Sequence, residues 1–208
     1  GKSNAYWKDV LARFVRHKLA VIGLIVILLE VFAVTALPAI LQIDPNRSDF
    51  IAGIYAAPSA GHILGTDDVG RDLFSRVLHG GRTSLYVGVA SAIISLLIGA
   101  PLGLLAGYYG KAVEMTIMRL ADLFHSFPSM ILVLVLVSVI GPSITSVTLV
   151  IGVLGWASSA RILHSSVLSV RERDYVEAAR AIGTKNGGIM FRYVLPNAFA
   201  PLLVNFSF

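Results

Sequence analysis

Four residues that could do chemistry lie close together in the chain: His62, Asp67, Asp68 and His79. These types can hold a divalent metal or pass protons. Their spacing matches no standard ligand pattern, so no metal is expected there. The same stretch reads HILGTDDVGRDLFSRVLHGGRTSL from His62 to Leu85. Gly65 and Gly70 give it a faint likeness to a phosphate-cradling loop. Arg71 and Asp72, however, stand where such a loop needs Lys and Ser or Thr. Gly1, Lys2 and Ser3 make no such loop either, because no Gly-rich strand turn precedes them. No nucleotide or other cofactor is therefore expected on this chain. The sequence contains 0 Cys, which removes disulfides, thiol nucleophiles and cysteine metal sites. It shows no nucleophile–base pair, no paired intramembrane Asp and no metal triad, so it does not read as an enzyme.

The remaining ionisable groups of interest sit in or beside apolar runs. Glu30 interrupts one of them, and an ionisable group inside a membrane helix is costly and by default functional. Opposing readings are a helix facing protein or water, or a protonated carboxyl. Arg119 and Asp122 are three apart and could pair across one helical turn. Pro128 follows, placed to kink the next apolar run. The largest polar interruption is EAARAIGTKNGGIMFRYVLP, from Glu177 to Pro196. Its character is that of a loop read by another protein. Ala178, Ala179 and Ala181 favour a narrow helix, and Gly183 can end it with a left-handed residue. Leu195 and Pro196 then stop the following helix as the chain re-enters the membrane.

The elements that must carry these groups are membrane helices. The chain has 208 residues, of which 56% are hydrophobic and only 14% charged, with a mean hydropathy of +0.78. A soluble domain has about 25% charged residues. A spanning helix needs about 20 mostly apolar residues, and the runs near 19–43, 85–109, 113–140 and 144–163 qualify. A further apolar run starts near Ala198 and stops at Phe208, which reads as a chain truncated before its last helices. Residues 1–18 form an amphipathic lead-in, with Trp7, Val10, Leu11, Phe14 and Val15 on one face. A cleaved signal peptide is not expected, because the apolar run is too long.

The net charge is +5, yet the Lys and Arg gather at the ends of apolar runs, with no basic stripe interleaved with aromatics. Nucleic acid is therefore not an expected partner; the lipid bilayer is. Lys2, Lys8, Arg13, Arg16 and Lys18 lead the first run, and Lys111 and Arg119 follow the second. Arg161, Arg171, Arg173, Arg180, Lys185 and Arg192 follow the fourth. On the other side, Arg47, Arg71, Arg76 and Arg82 are outnumbered by Asp44, Asp49, Asp67, Asp68 and Asp72. The positive-inside rule then puts the N-terminus and the loop at about 164–197 in the cytoplasm and the segment 44–84 outside. Within the second run, Ser91, Ser95, Gly99, Gly103 and Gly107 place a small residue at every fourth position. Such a stripe lets another helix approach closely, either as static packing or as a seam that slides. Pro101 lies within the stripe and should bend it.

The pattern E-A-A, three residues, Gly, then about a dozen residues to Leu-Pro resembles the signature loop of ABC importer permeases. Glu177, Ala178, Ala179, Gly183, Leu195 and Pro196 fall at its spacing, while Tyr193 departs from the usual Ile. Gly65, Thr66, Asp67, Gly70, Arg71 and Asp72 are similar to a G-T-D-x-x-G-R-D stretch of the peptide and nickel branch. Met118, Arg119, Asp122 and Pro128 resemble a further family stretch. The resemblance implies an all-α polytopic bundle of the type I importer kind, a C-type permease subunit of the oligopeptide, dipeptide and nickel importers. It implies coupling to ATPases through Glu177 to Gly183, and a gate near Pro128 in the stretch that holds Arg119 and Asp122; Glu30 remains a separate candidate for the path, on its own cost within a membrane helix. The implied partners are a homologous permease subunit, two ATPase subunits and an external binding protein. ATP and magnesium would reside on the ATPases. The implied location is the cytoplasmic membrane of a bacterium or archaeon. Peptides are the first cargo and nickel or another small solute the second; a passive channel or export pore is the reading from another class.

Overall fold

An uninterrupted apolar run makes the first helix, α1 (Lys18–Leu41). Its 24 residues extend about 36 Å at 1.5 Å per residue, enough for a hydrocarbon core of about 30 Å. It is apolar all round yet most of its side chains are exposed, which fits a membrane span whose surface meets lipid, and Val34 and Pro38 are its buried residues. The computed structural model describes residues 14–41, 43–199 and 201–202. Trp7, Val10 and Leu11 of the amphipathic lead-in fall outside them, as does all but the first turn of the run expected from Ala198.

The helices that follow are α2 (Leu73–Tyr109), α3 (Lys111–His125), α4 (Ser129–Ile140), α5 (Ile144–Arg171) and α6 (Asp174–Ala181). The short α7 (Asn186–Ile189), a π-helical turn at Met190–Val194 and α8 (Leu195–Ala198) complete the order. Among the described residues the only β pairing is two isolated bridges, Ser48 with Arg71 and Thr66 with Asp72. The architecture is all-α and polytopic. Three helices, α1, α2 and α5, are long and apolar enough to cross a membrane, and the count reaches 4 if the bent pair α3–α4 makes one span.

Several boundaries differ from the sequence expectation. The second helix starts at Leu73, not near Leu85: Asp72 caps it, and the helix runs through Gly80 and Gly81, the second of which packs against Val34 of α1. The stretch expected as one helix over 113–140 is two, bent by 83°. Pro128 has no N–H to give and biases Phe127 away from helical backbone; it stands at φ −61° and ψ 113° as the cap of α4. The fourth run continues to Arg171, since its polar residues beyond Leu163 remain compatible with helix. The loop expected from 164 thus begins at Glu172. Pro101 lies inside α2, which continues past it as helix to Tyr109.

Two compact units divide the chain, Gly1–Tyr86 and Val87–Phe208. In the first, α1 meets the start of α2, where a Cβ on Gly81 would lie 2.7 Å from Val34 Cγ1. In the second, one core gathers Leu104, Leu163, Val167, Val176, Ala179, Ile189, Met190, Val194, Ala198 and Leu202. A smaller cluster joins Ala121, Trp156, Ala157 and Ala160.

Candidate functional site

The polar segment after α5 is built by capping. Arg173 is the N-cap residue of α6 in extended backbone, and Asp174 and Glu177 occupy the first turn with Arg180 in the last. These charges complement the helix dipole at both ends. The helix ends in a Schellman arrangement. Thr184 N donates to Ala179 O at 3.1 Å and Gly183 N to Arg180 O at 3.0 Å, with Gly183 at φ +82°. Space around Gly183 is open, so only backbone geometry calls for glycine there.

Two side chains, Val176 and Ala179, sink α6 into the core formed with α2, α5 and the turns after α6. Glu177, Ala178, Ala181 and Gly183 remain exposed, and Ile182 is 80% exposed. Of the expected ATPase-facing set, Ala179 is therefore a core residue: an i, i+3 pair is what a short helix needs to pack, and Ala179 completes it with Val176. Leu195 is half-buried and Pro196 exposed. Both lie in α8, which continues the π-helical turn Met190–Val194 without leaving helical backbone, so Leu195-Pro196 does not stop the helix there.

The small-residue stripe of α2 lies against α5. A Cβ on Gly99 would stand 2.6 Å from Trp156 O, on Gly103 2.4 Å from Ala160 O, and on Gly107 2.7 Å from Val167 Cβ. The Ser95 and Ser159 hydroxyls share a buried hydrogen bond of 2.7 Å, and Ser91 O would lie 3.0 Å from a Cβ on Gly152. The matching small residues on α5, Gly152, Gly155, Ser159 and Ala160, lie in the run GVLGWASSA from 152 to 160, whose spacing alone does not show that it faces the stripe.

The end of α2 turns sharply into α3 at Gly110 and Lys111, with φ +64° and +50°. Arg171 Nη1 donates to Gly107 O at 2.7 Å, and His164 Nε2 meets Glu114 Oε1 at 2.9 Å. Tyr108 OH donates to Asn186 Oδ1 at 2.9 Å. Sequence reasoning missed these contacts because each joins residues 50 or more apart in the chain.

The expected pair of Arg119 with Asp122 is not made. Asp122 Oδ1 instead accepts from Arg161 Nη2 of α5 at 2.7 Å, because α3 packs along α5 and brings that guanidinium beside the carboxylate. Arg119 is exposed on α3. Pro128 sits at the bend itself, beside a cavity of about 580 Å³ lined by Phe124, His125, Phe127, Met130, Ile151 and Ser158 among others. Glu30 belongs to the other unit, exposed on α1, and forms no ion pair among the described residues.

The segment before α2 accounts for its own motif. Gly65 (φ +80°) brings its backbone so close to Ala56 that a Cβ would stand 2.3 Å from that carbonyl oxygen. Thr66, 3% exposed, accepts from Ala56 N and donates to Gly53 O, both at 2.8 Å. Asp67 accepts from the backbone of Val69 and Arg71 and from the side chains of Arg71 and Arg76. Burial works to raise the Asp67 pKa, but these donors outweigh it and hold the carboxyl well below the usual range. Asp72 Oδ2 caps α2 through Ser75 N at 2.7 Å. Its other oxygen meets His62 Nδ1 at 3.0 Å, and His62 Nε2 lies 3.4 Å from Asp49 Oδ2. Hydrogen bonding to Asp72, then to Asp49, raises the His62 pKa against the opposing effect of desolvation. His79 Nδ1 bonds to Ser75 O at 3.0 Å. Of the four residues first considered as a metal set, Asp67 and Asp68 both approach Arg71, while His62 and His79 have other partners.

Residues 99–208 match the family described as binding-protein-dependent transport system inner membrane component. Residues 5–58 match the N-terminal transmembrane domain of oligopeptide transport permease C. The dipeptide transport system permease protein DppC of Alkalihalophilus pseudofirmus is 39% identical over 202 residues, covering 95% of this chain and 65% of that protein. The oligopeptide transport system permease protein OppC of Bacillus subtilis is 34% identical over 206 residues, covering 99% of this chain and 67% of its own. The chain thus spans about two thirds of the length of these relatives.

Proposed function

Because the chain belongs to the family of binding-protein-dependent transport system inner membrane components, we propose that it lines half of a peptide path and is driven by ATPases docked on α6. The observation that carries this is the division of α6 into two faces. Val176 and Ala179 anchor it in the core, while Glu177, Ala178, Ala181 and Ile182 are left outward. A small-residue face of that kind admits a close partner, and Glu177 supplies a charge for a basic group on it.

The partners in this reading are a homologous permease subunit, two ATPase subunits that hold ATP and magnesium, and an external binding protein. The chain itself hydrolyses nothing. Positive charge at the ends of the apolar runs supports a cytoplasmic N-terminus and a cytoplasmic α6. The names of the relatives, dipeptide and oligopeptide permeases, support peptides over nickel as cargo. The cavity at the α3–α4 bend, with apolar walls and a few polar groups, suits side chains of mixed character. Pro128 is the bend that shapes it.

Co-purification of the full-length protein with its ATPases, wild type against Glu177→Arg, tests the reading. Retention by wild type and loss by the variant is the expected result. If folded wild type retains no ATPase, the reading fails and a passive channel takes its place.

A further inference from the structure

The α6 segment is tied at both ends to neighbouring residues of one helix terminus. Arg171, two residues before the α6 N-cap, donates to the carbonyl of Gly107 at 2.7 Å. Asn186, which opens α7 just after α6, accepts from the hydroxyl of Tyr108 at 2.9 Å. Gly107 and Tyr108 are consecutive in the last turn of α2. That turn has carbonyls with no helical partner, and an arginine cation there both satisfies one and complements the dipole. The apolar contacts point the same way, since Leu104 and Tyr108 of α2 pack in the core that holds Val176 and Ala179 of α6.

The turn so grasped is stiff. Gly107 is close-packed, its hypothetical Cβ 2.7 Å from Val167 and 3.0 Å from His164 O. Gly110 and Lys111 reverse the chain with positive φ, and Glu114 in the first turn of α3 is bonded to His164 of α5. A displacement of α6 along its own axis would pull on Gly107 and Tyr108 together. The rigid Gly110–Lys111 reversal would then pass it to α3, whose far end is the bend beside Pro128.

We propose that Arg171, Tyr108 and Asn186 are positioning residues that bind both ends of α6 to the α2–α3 turn and so carry ATPase motion to the bend. The inference rests on the ATPase-docking reading above. Each bond acts by holding α6 and the α2–α3 turn as one body.

The test uses the assembled transporter reconstituted in vesicles, with ATPase retention, ATP hydrolysis, uptake and thermal unfolding measured together. Tyr108→Phe removes one hydroxyl and no volume. It is expected to keep the ATPases bound and the unfolding temperature within about a degree or two, since an exposed neutral hydrogen bond contributes little net stability. Uptake per ATP hydrolysed should fall about threefold to tenfold. Asn186→Ala should match it, and the double variant should be no worse than either single one, as for a coupled pair. Asn186→Asp, which keeps an acceptor oxygen, should restore uptake. Arg171→Leu should reproduce the loss and Arg171→Gln, which keeps an N–H donor, should recover part of it. Unchanged uptake per ATP in Tyr108→Phe with the ATPases in place overturns the proposal and leaves the docking reading standing. Loss of ATPase from wild type overturns the docking reading itself, and this proposal with it.

Discussion

Gly103 approaches Ala160 so closely that a Cβ on the glycine would stand 2.4 Å from the Ala160 carbonyl oxygen and 3.0 Å from its Cα. Both obstacles are backbone, so neither can rotate away, and the second unit is therefore sensitive to one methyl group at this place. Gly103→Ala should force α2 and α5 apart at a cost of about 1–3 kcal/mol, the range for overpacking a tight core. Gly88→Ala, on the same helix with nothing within 4 Å, should instead gain about 0.5–1 kcal/mol of helix propensity. Thermal unfolding in one detergent separates the two, and equal midpoints would show that the seam is loose.

Gly183 makes a different demand, since nothing crowds it and its φ of +82° alone is unusual. Gly183→Ala should cost about 1–2 kcal/mol of local stability through the left-handed backbone. Gly183→Val should cost more, because a β-branched residue is stiffer there. Within the proposed function both should insert normally and uncouple ATP hydrolysis from uptake. Normal uptake by Gly183→Val would remove the end of α6 from the coupling route.

Asp67 draws donors from Val69, Arg71 and Arg76 onto one carboxylate. Asp67→Asn keeps the shape and removes the charge, so it should loosen the turn from Gly65 to Asp72. Hydrogen exchange at the Val69 and Arg71 amides, faster in the variant, would register this. Asp68→Asn is the control, because Asp68 makes only a 3.8 Å approach to Arg71. Equal exchange in the two variants would count against a central role for Asp67.

The His62 contacts should give the segment before α2 a pH optimum. The His62 pKa is raised from 6.5, first by Asp72 and then by Asp49. Its contribution is therefore complete below 6.5 and disappears as pH rises through the raised value. Asp49 is lowered from 3.8 by the Ala52 and Ile51 amides and by His62. Asp72 is lowered from 3.8 because bonds from Ser75 and His62 outweigh its burial. Those contributions are complete above 3.8 and disappear as pH falls through the lowered values. The segment should resist proteolysis best between about pH 4 and 6.5. His62→Gln should abolish the loss on the alkaline side, and an unchanged profile in that variant would rule the histidine out.

Orientation can be read from two exposed serines. A Ser59→Cys variant should label from outside intact cells with a membrane-impermeant maleimide, and a Ser169→Cys variant should label only after the membrane is opened. The reverse result would invert the topology derived from the Lys and Arg distribution.

Features that depend on neighbours in the chain were legible in the sequence by itself. The apolar runs around α1, α2 and α5 announce themselves because about 20 consecutive residues must satisfy one solvent. Gly183 could be assigned as a left-handed helix end, and Pro128 as a kink, because both act through their own backbone and that of adjacent residues; that the kink is a full break was not legible. The small-residue stripe on α2 is likewise a local periodicity. What the stripe touches was not legible, because Ser95 and Ser159 are 64 positions apart. Asp122 shows the same limit: its near neighbour Arg119 suggested one pairing, and packing of α3 on α5 supplied Arg161 instead. Ala179 looked like part of an outward small face until the core closed over it, since spacing along a short helix gives the relative angle of two residues but not which side meets protein. The 83° bend between α3 and α4 and the ties of Arg171 to Gly107 and Tyr108 to Asn186 were decided only in three dimensions, where distant segments compete for the same donors and the same space.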